Sequence, residues 1–316
     1  MIRTVLGDID SSTLGHSQCH EHLFVEKGAS FEVSRVLYMD EADKSLKELD
    51  EYRENGGSLV VDAQPGLYGR MAEQLAEVSR KSGVHIVAST GFHKTEFCDF
   101  PDFFSDKDAE EICLFLMSEI TQGMLSSKSA GLERTDYRAG IIKVALDSAS
   151  DEFGIYPKLF EAAAEAQKKT GATVLCHTDQ GCDALRVLRF FTDKGVPAEK
   201  VIICHLDRAR RDVEYNSEIA AQGAYLDYDS VARLKYLSHE EEIRFIEQMI
   251  SRGYSDRIML SLDTTRARLK SYGGDIGLSY ILTDFEKMLK EHGISDADIE
   301  NMTVNNARRA LAMDCL

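Results

Sequence analysis

Positive charge is scarce in this 316-residue chain: 37 lysines and arginines face 54 aspartates and glutamates, a formal net charge of −17. The isoelectric point is near 5.0. With no dominant basic surface, the composition argues against nucleic acid as a general partner. Long apolar runs are missing too. No segment approaches the roughly 18 uncharged apolar residues of a membrane helix, and the opening "MIRTVLGDIDSSTLG" lacks the continuous apolar stretch of a secretory signal. The expectation is a soluble, cytoplasmic protein with no membrane partner. The seven cysteines are odd in number and form no C-x-x-C pair. That speaks against a disulfide framework and against a cysteine zinc knuckle. No G-x-G-x-x-G follows an early strand, which lowers an open dinucleotide-binding sheet.

What is present is a rhythm. Short β-branched or apolar runs recur at 16–23, 58–63, 84–90, 140–146, 172–177, 200–205, 223–228 and 257–263. Between most of them lie helix-like stretches, several closed by a glycine at the stop position (Gly83, Gly171, Gly195, Gly253). Alternating strand and helix implies parallel strands with crossovers. Eight such units in this length fit a (β/α)8 barrel. No linker or low-complexity tract interrupts the chain. Residues 1–316 therefore read as one domain, with an N-terminal hairpin over 1–15 and a C-terminal helical tail over 277–316.

The stretch "SQCHEHLF" places His20 and His22 two apart. A helix would separate the two rings, whereas a strand aims both at one face. A polar rim that happens to hold two histidines would read the same way. Further along, His177 and His205 close the fifth and sixth runs and Asp263 closes the eighth. Barrel enzymes place their chemistry at these strand ends, and chance does not easily put all five there. Cys19, Cys176 and Cys204 each precede one of the histidines. With the histidines directed into the barrel, period two turns these cysteines outward, as packing residues between strands and helices.

Lys143 stands mid-strand in "IIKVAL", where an unpaired ammonium is costly. It either pairs with an interior carboxylate such as Asp147 or is neutralised by burial. A neutral amine adds carbon dioxide to become a carbamate, which can bridge two cations roughly 3.5–4 Å apart.

The ordered set of H-x-H on the first strand, lysine on the fourth, histidines on the fifth and sixth and aspartate on the eighth resembles the phosphotriesterase-like branch of the amidohydrolase superfamily. The segments "HEHL", "IIKVALD", "CHTDQG", "ICHLDR" and "DTTRARLKSYGG" carry the likeness, in order, over nearly the whole chain. The resemblance implies a TIM barrel with a binuclear centre. His20, His22 and Asp263 would hold one divalent metal and His177 and His205 the other, with carboxylated Lys143 and a hydroxide bridging them. Zinc, manganese and cobalt all suit such ligands. Asp263 would take the proton of the attacking hydroxide and pass it to the leaving group.

The substrate is less legible. His93, just beyond the third strand, either lines the mouth or is a solvated loop residue. His16, His85, His239 and His292 read as structural or surface residues, and Gly273–Gly274 as support for a loop. Basic residues gather after strands six to eight: Arg208, Arg210, Arg211, Arg233, Lys235, Arg266, Arg268 and Lys270, with Tyr272 close by. They are either a clamp for an anionic substrate or solvated partners of the abundant acids. Expected substrate contacts are His93, Arg208, Lys235, Arg266, Arg268 and Tyr272. The family includes lactonases, some acting on phosphorylated sugar lactones, and organophosphate hydrolases. The expectation is a metal-dependent lactonase acting on a small molecule, anionic if the basic residues form a clamp, in a chain able to form a homodimer. A phosphotriesterase, carboxylesterase or amidase, or a binding protein that has lost the chemistry, are the alternatives.

Overall fold

The computed structural model describes residues 1–147 and 156–313. Residues 2–9 form a short antiparallel hairpin, β1 (Ile2–Thr4) with β2 (Gly7–Ile9). All eight runs then appear as strands: β3 (His16–Glu21), β4 (Gly57–Asp62), β5 (His85–Gly91), β6 (Ile141–Leu146), β7 (Thr173–Thr178), β8 (Val201–Cys204), β9 (Tyr225–Tyr228) and β10 (Ile258–Leu260). They pair in parallel, each with its neighbour in sequence, from β3 round to β10. Helices such as Ala72–Ser82, Tyr156–Thr170 and His239–Ser251 cross between them, as a (β/α)8 barrel requires. Gly83 ends the first of these in the left-handed conformation, at φ 72°.

Two apolar layers follow from the period of two. Leu59, Val61, Leu175, Ile202 and Met259 fill the barrel interior, which Ala307, Ala310 and Leu311 of the helix Asn306–Leu311 help to pack. Val60, Ile142, Val174, Ile203 and Leu260 face the other way, into the layer beneath the helices. Over 277–313 the chain is largely helical, and the last three residues of the expected tail lie outside the described part. Among the described residues no helix is long and apolar enough to cross a membrane.

The seam between β10 and β3 is closed without a ladder. Ser261 Oγ accepts from the amides of Cys19 and His20 at 2.9 and 3.1 Å, and Asp263 N donates to His20 O at 3.0 Å. Glu21, the residue between the two histidines, completes it. Its carboxylate accepts from Leu262 N at 2.6 Å and from Thr264 N at 3.0 Å, gripping the chain on both sides of Asp263. This helps explain why β10 ends at Leu260 and not at Asp263: alternate amides beyond it, those of Leu262 and Thr264, are held by a side chain.

Candidate metal centre

His20, His22, Lys143, His177, His205 and Asp263 all reach one mouth of the barrel. Lys143 is fully buried on β6, and its Nζ lies 3.0 Å from His20 Nε2. The alternative partner, Asp147, accepts instead from Tyr156 Oη at 2.8 Å. Two of the six depend on backbone that ordinary residues avoid. His205 has φ 69° and Asp263 φ 49°, each just past the end of a strand.

The left-handed turn at His205 breaks the alternation on which the cysteine expectation rested. Cys176 does pack in the outer layer, and His177 faces the site. Cys204 and Cys19, by contrast, lie in the barrel interior beneath the site. His205 is swung inward by its positive φ, and the β3–β4 register is irregular between Gln18 and Glu21. Period two holds only while the strand does.

Three of the four imidazoles have one nitrogen fixed by a carboxylate. His20 Nδ1 lies 2.8 Å from Asp229 Oδ2, His205 Nδ1 2.6 Å from Asp229 Oδ1, and His177 Nε2 2.8 Å from Asp179 Oδ1. Each contact makes that nitrogen the N–H donor and leaves the other with a lone pair. The result is a convergence: His205 Nε2 and His177 Nδ1 face each other at 2.7 Å. Burial pushes the His177 pKa down and that of His205 well down, and that of His20 to about 3. The rings therefore favour the neutral form, and two inward ring nitrogens this close are a donor pair able to hold a cation. His22 differs, since its buried Nδ1 has no hydrogen-bond partner.

Asp263 divides its carboxylate. Oδ1 faces His22 Nε2 at 3.5 Å and His20 Nε2 at 3.9 Å, whereas Oδ2 meets Arg233 at 3.0 Å and Arg208 at 3.2 Å. Burial opposes its charge, but Arg233, the two histidines and Arg208 hold the carboxyl well below the usual range. Ligand atoms of His20, His22 and Asp263 lie close enough to share an ion, as do those of His205, Asp229 and Asp263. Asp229 is the weaker ligand of these because both its oxygens already accept from imidazoles. Neutral imidazoles, a carboxylate and inward lone pairs fit a divalent metal.

Above the centre opens a cavity of about 280 Å3 lined by His93, Lys94, Arg208, Arg233 and Tyr236 as well as the histidines. His93 is buried there, with its ring 4.9 Å from that of His177. The remaining expected contacts do not line this cavity. Arg268 is buried beneath it, donating to Val231 O, and burial lowers its pKa to about 10. Arg266 stacks between Tyr38 and Tyr272 and pairs with Glu41 at 3.2 Å. Tyr272 Oη accepts from Glu41 N at 3.2 Å. Lys235 is exposed, its Nζ 4.6 Å from the centre of the Tyr236 ring. The arginine that does enter beside Arg208 is Arg233, two residues before Lys235. Lys94, held by Asp179 and Glu96 at 3.0 Å each, also lines the cavity. Proximity in sequence to a loop could not say which side chain turns inward. Asp229 was legible only as the third member of the alternating set Tyr225, Asp227, Asp229 in "YLDYD".

An eight-stranded parallel barrel with a histidine, lysine and aspartate cluster at its mouth defines a class of barrel proteins with a metal-competent rim. The chain belongs to the phosphotriesterase family, whose model matches residues 1–311. It is 32% identical to a phospho-furanose lactonase of Mycoplasmopsis synoviae (strain 53), over 99% of this chain and 92% of the relative. Among solved structures it is similar to a lactonase from Listeria monocytogenes, with TM-score 0.90, 26% identity and 99% of both chains covered. It is also similar to the phosphotriesterase homology protein of Escherichia coli, solved with phosphate in its active site. There the TM-score is 0.84 and the identity 26%, covering 94% of this chain and 99% of that one.

Proposed function

We propose that the protein is a metal-dependent lactonase that opens a small lactone carrying a phosphoryl group, most simply a furanose lactone phosphate. The observation that carries this reading is the pair of ring nitrogens of His205 and His177 facing each other at 2.7 Å, each ring held by a carboxylate at its other nitrogen. Such a donor set is built for cations. His20, His22 and Asp263 would hold one and His177 and His205 a second, zinc foremost, with manganese and cobalt as alternatives. Lys143, as a neutral amine, would add carbon dioxide and lose a proton to become the carbamate between them. When bound, two divalent cations lower the pKa of water and polarise a carbonyl.

The chain's own residues supply the rest. Asp263 starts ionised, and so accepts a proton as water adds to the lactone carbonyl. It returns that proton to the ring oxygen as the acyl C–O bond breaks, leaving a hydroxy acid. Arg208 and Arg233 fix the carboxylate for this transfer. Together with Lys94, which pairs with Asp179 and Glu96, they bring three cationic side chains to the mouth in a chain of net charge −17. A phosphoryl group is the natural complement. Kinship with a phospho-furanose lactonase supports the same substrate class, and phosphorylated sugars, which do not cross membranes unaided, suit a cytoplasmic enzyme.

The test is a panel of furanose lactone phosphates, their unphosphorylated parents, a phosphotriester, an aryl ester and an N-acyl amine, given to the metal-loaded enzyme. The phosphorylated lactones should lead in kcat/KM. Preference for any other class would replace this reading.

A further inference from the structure

We propose that Asp229 is a positioning residue that fixes the tautomer of one imidazole in each of the two metal subsites and so couples them. This rests on the two-cation reading above. Asp229 follows β9, fully buried, and one carboxylate serves both rings: Oδ2 accepts from His20 Nδ1 at 2.8 Å and Oδ1 from His205 Nδ1 at 2.6 Å. His20 belongs to one proposed ligand trio and His205 to the other pair. With both Nδ1 atoms donating, both Nε2 atoms are lone-pair donors directed at the centre. Asp229 also has the carboxylates of Asp263, Asp227 and Asp207 around it, and one guanidinium, that of Arg208, whose Nη1 is 3.8 Å from Oδ1. It lies farther off than either imidazole and does not displace them.

The coupling follows from the acceptor count. A carboxylate accepts two N–H groups, one per oxygen. An amide in the same place accepts one and offers an NH2 to the other. Asp229→Asn therefore fills the same space but forces one of the two rings into the opposite tautomer, Nε2–H. That nitrogen then points a proton, not a lone pair, at its subsite. One cation should be held as before and the other more weakly.

Two measurements test this. In metal-free protein, 15N shifts of the histidine rings should show Nδ1–H for both His20 and His205, and for only one of them in Asp229→Asn. In metal titrations the wild type should bind two zinc ions tightly. The Asn variant should bind one as before and the second about ten- to a hundredfold more weakly. Asp229→Ala should weaken both. Retention of two equally tight ions and of both Nδ1–H tautomers in Asp229→Asn would overturn the proposal. So would an Nε2–H tautomer at either ring in the wild type, a result that does not depend on any variant folding. A wild type with Nδ1–H at both rings but no pair of tight ions would instead remove the two-cation reading.

Discussion

Gly91 lies against the backbone of Lys143. The two are partners in the β5–β6 register, and a Cβ on Gly91 would stand 1.9 Å from the Lys143 carbonyl oxygen. The next amide, Phe92 N, donates to that same oxygen at 2.9 Å. Gly91 also has φ 109°, which glycine alone adopts comfortably. Gly91→Ala should therefore cost about 2 kcal/mol or more and displace the lysine at the heart of the centre. Chemical denaturation and metal analysis of the variant check both effects. A Gly91→Ala protein with wild-type midpoint and metal content would contradict this relationship.

Lys143 itself is the second point of test. Lys143→Ala should lose most metal and most turnover. A short carboxylate such as acetate should restore part of both by standing where a carbamate on Lys143 would. Rescue by acetate, measured as metal retained after desalting, separates a missing ligand from a collapsed barrel. Wild-type turnover and metal in the unsupplemented variant would sink the carbamate.

Substrate charge should be read by Arg233 and not by Arg268. A desolvated contact between an arginine and a phosphate typically contributes about 1.5–3 kcal/mol, roughly ten- to a hundredfold in kcat/KM. The wild type should favour a phosphorylated lactone over its plain parent by about that factor, and Arg233→Met should shrink the ratio toward one. Arg268→Met should leave the ratio alone and lower stability, since its guanidinium is buried and donates to Val231 O. The reverse pattern would put the clamp at Arg268, which does not line the cavity, and would contradict this assignment.

A buried ion pair on the outer side of β5 and β6, outside the proposed ligand set, sets an acid dependence. Glu119 Oε1 meets Arg70 at 2.6 Å, and its carboxylate also accepts from Thr90 Oγ1 and Leu125 N. Burial works against the charge, but Arg70 and these donors hold the Glu119 pKa below its ordinary value. The folded state thus favours the ionised form. Its contribution is complete above the unfolded-state carboxyl pKa of about 4.3 and is lost as pH falls through the lower folded value. Glu119→Gln should destabilise by about 3–5 kcal/mol at pH 7. The gap should narrow once pH drops below about 4.3. A gap unchanged in urea melts from pH 7 down to pH 3 would remove the ionised pair from the account.

Much of this was legible in the sequence because it rides on simple periods. Eight apolar runs separated by helical stretches give the barrel, and residues at the ends of parallel strands share a rim, which brings His20, His22, His177, His205 and Asp263 together. What failed was inference about direction once a strand stops. His205 faces the site by a left-handed backbone turn, and this leaves Cys204 inside the barrel, contrary to strict alternation. Arg268 and Arg233 are both loop arginines near strand ends, and only packing decides that one is buried and the other enters the cavity. Glu21 and Asp229 act through hydrogen bonds to partners far along the chain, at Leu262 and Thr264 and at His20; alternation along the strand could place Asp229 on a face but could not name its partners.

The most direct test of the central claim is a zinc titration of chelator-stripped protein in bicarbonate buffer, followed by hydrolysis of a furanose lactone phosphate. Activity should rise with added metal and level off at two equivalents per chain. Turnover that is indifferent to metal, or that saturates at a single equivalent, would contradict the account.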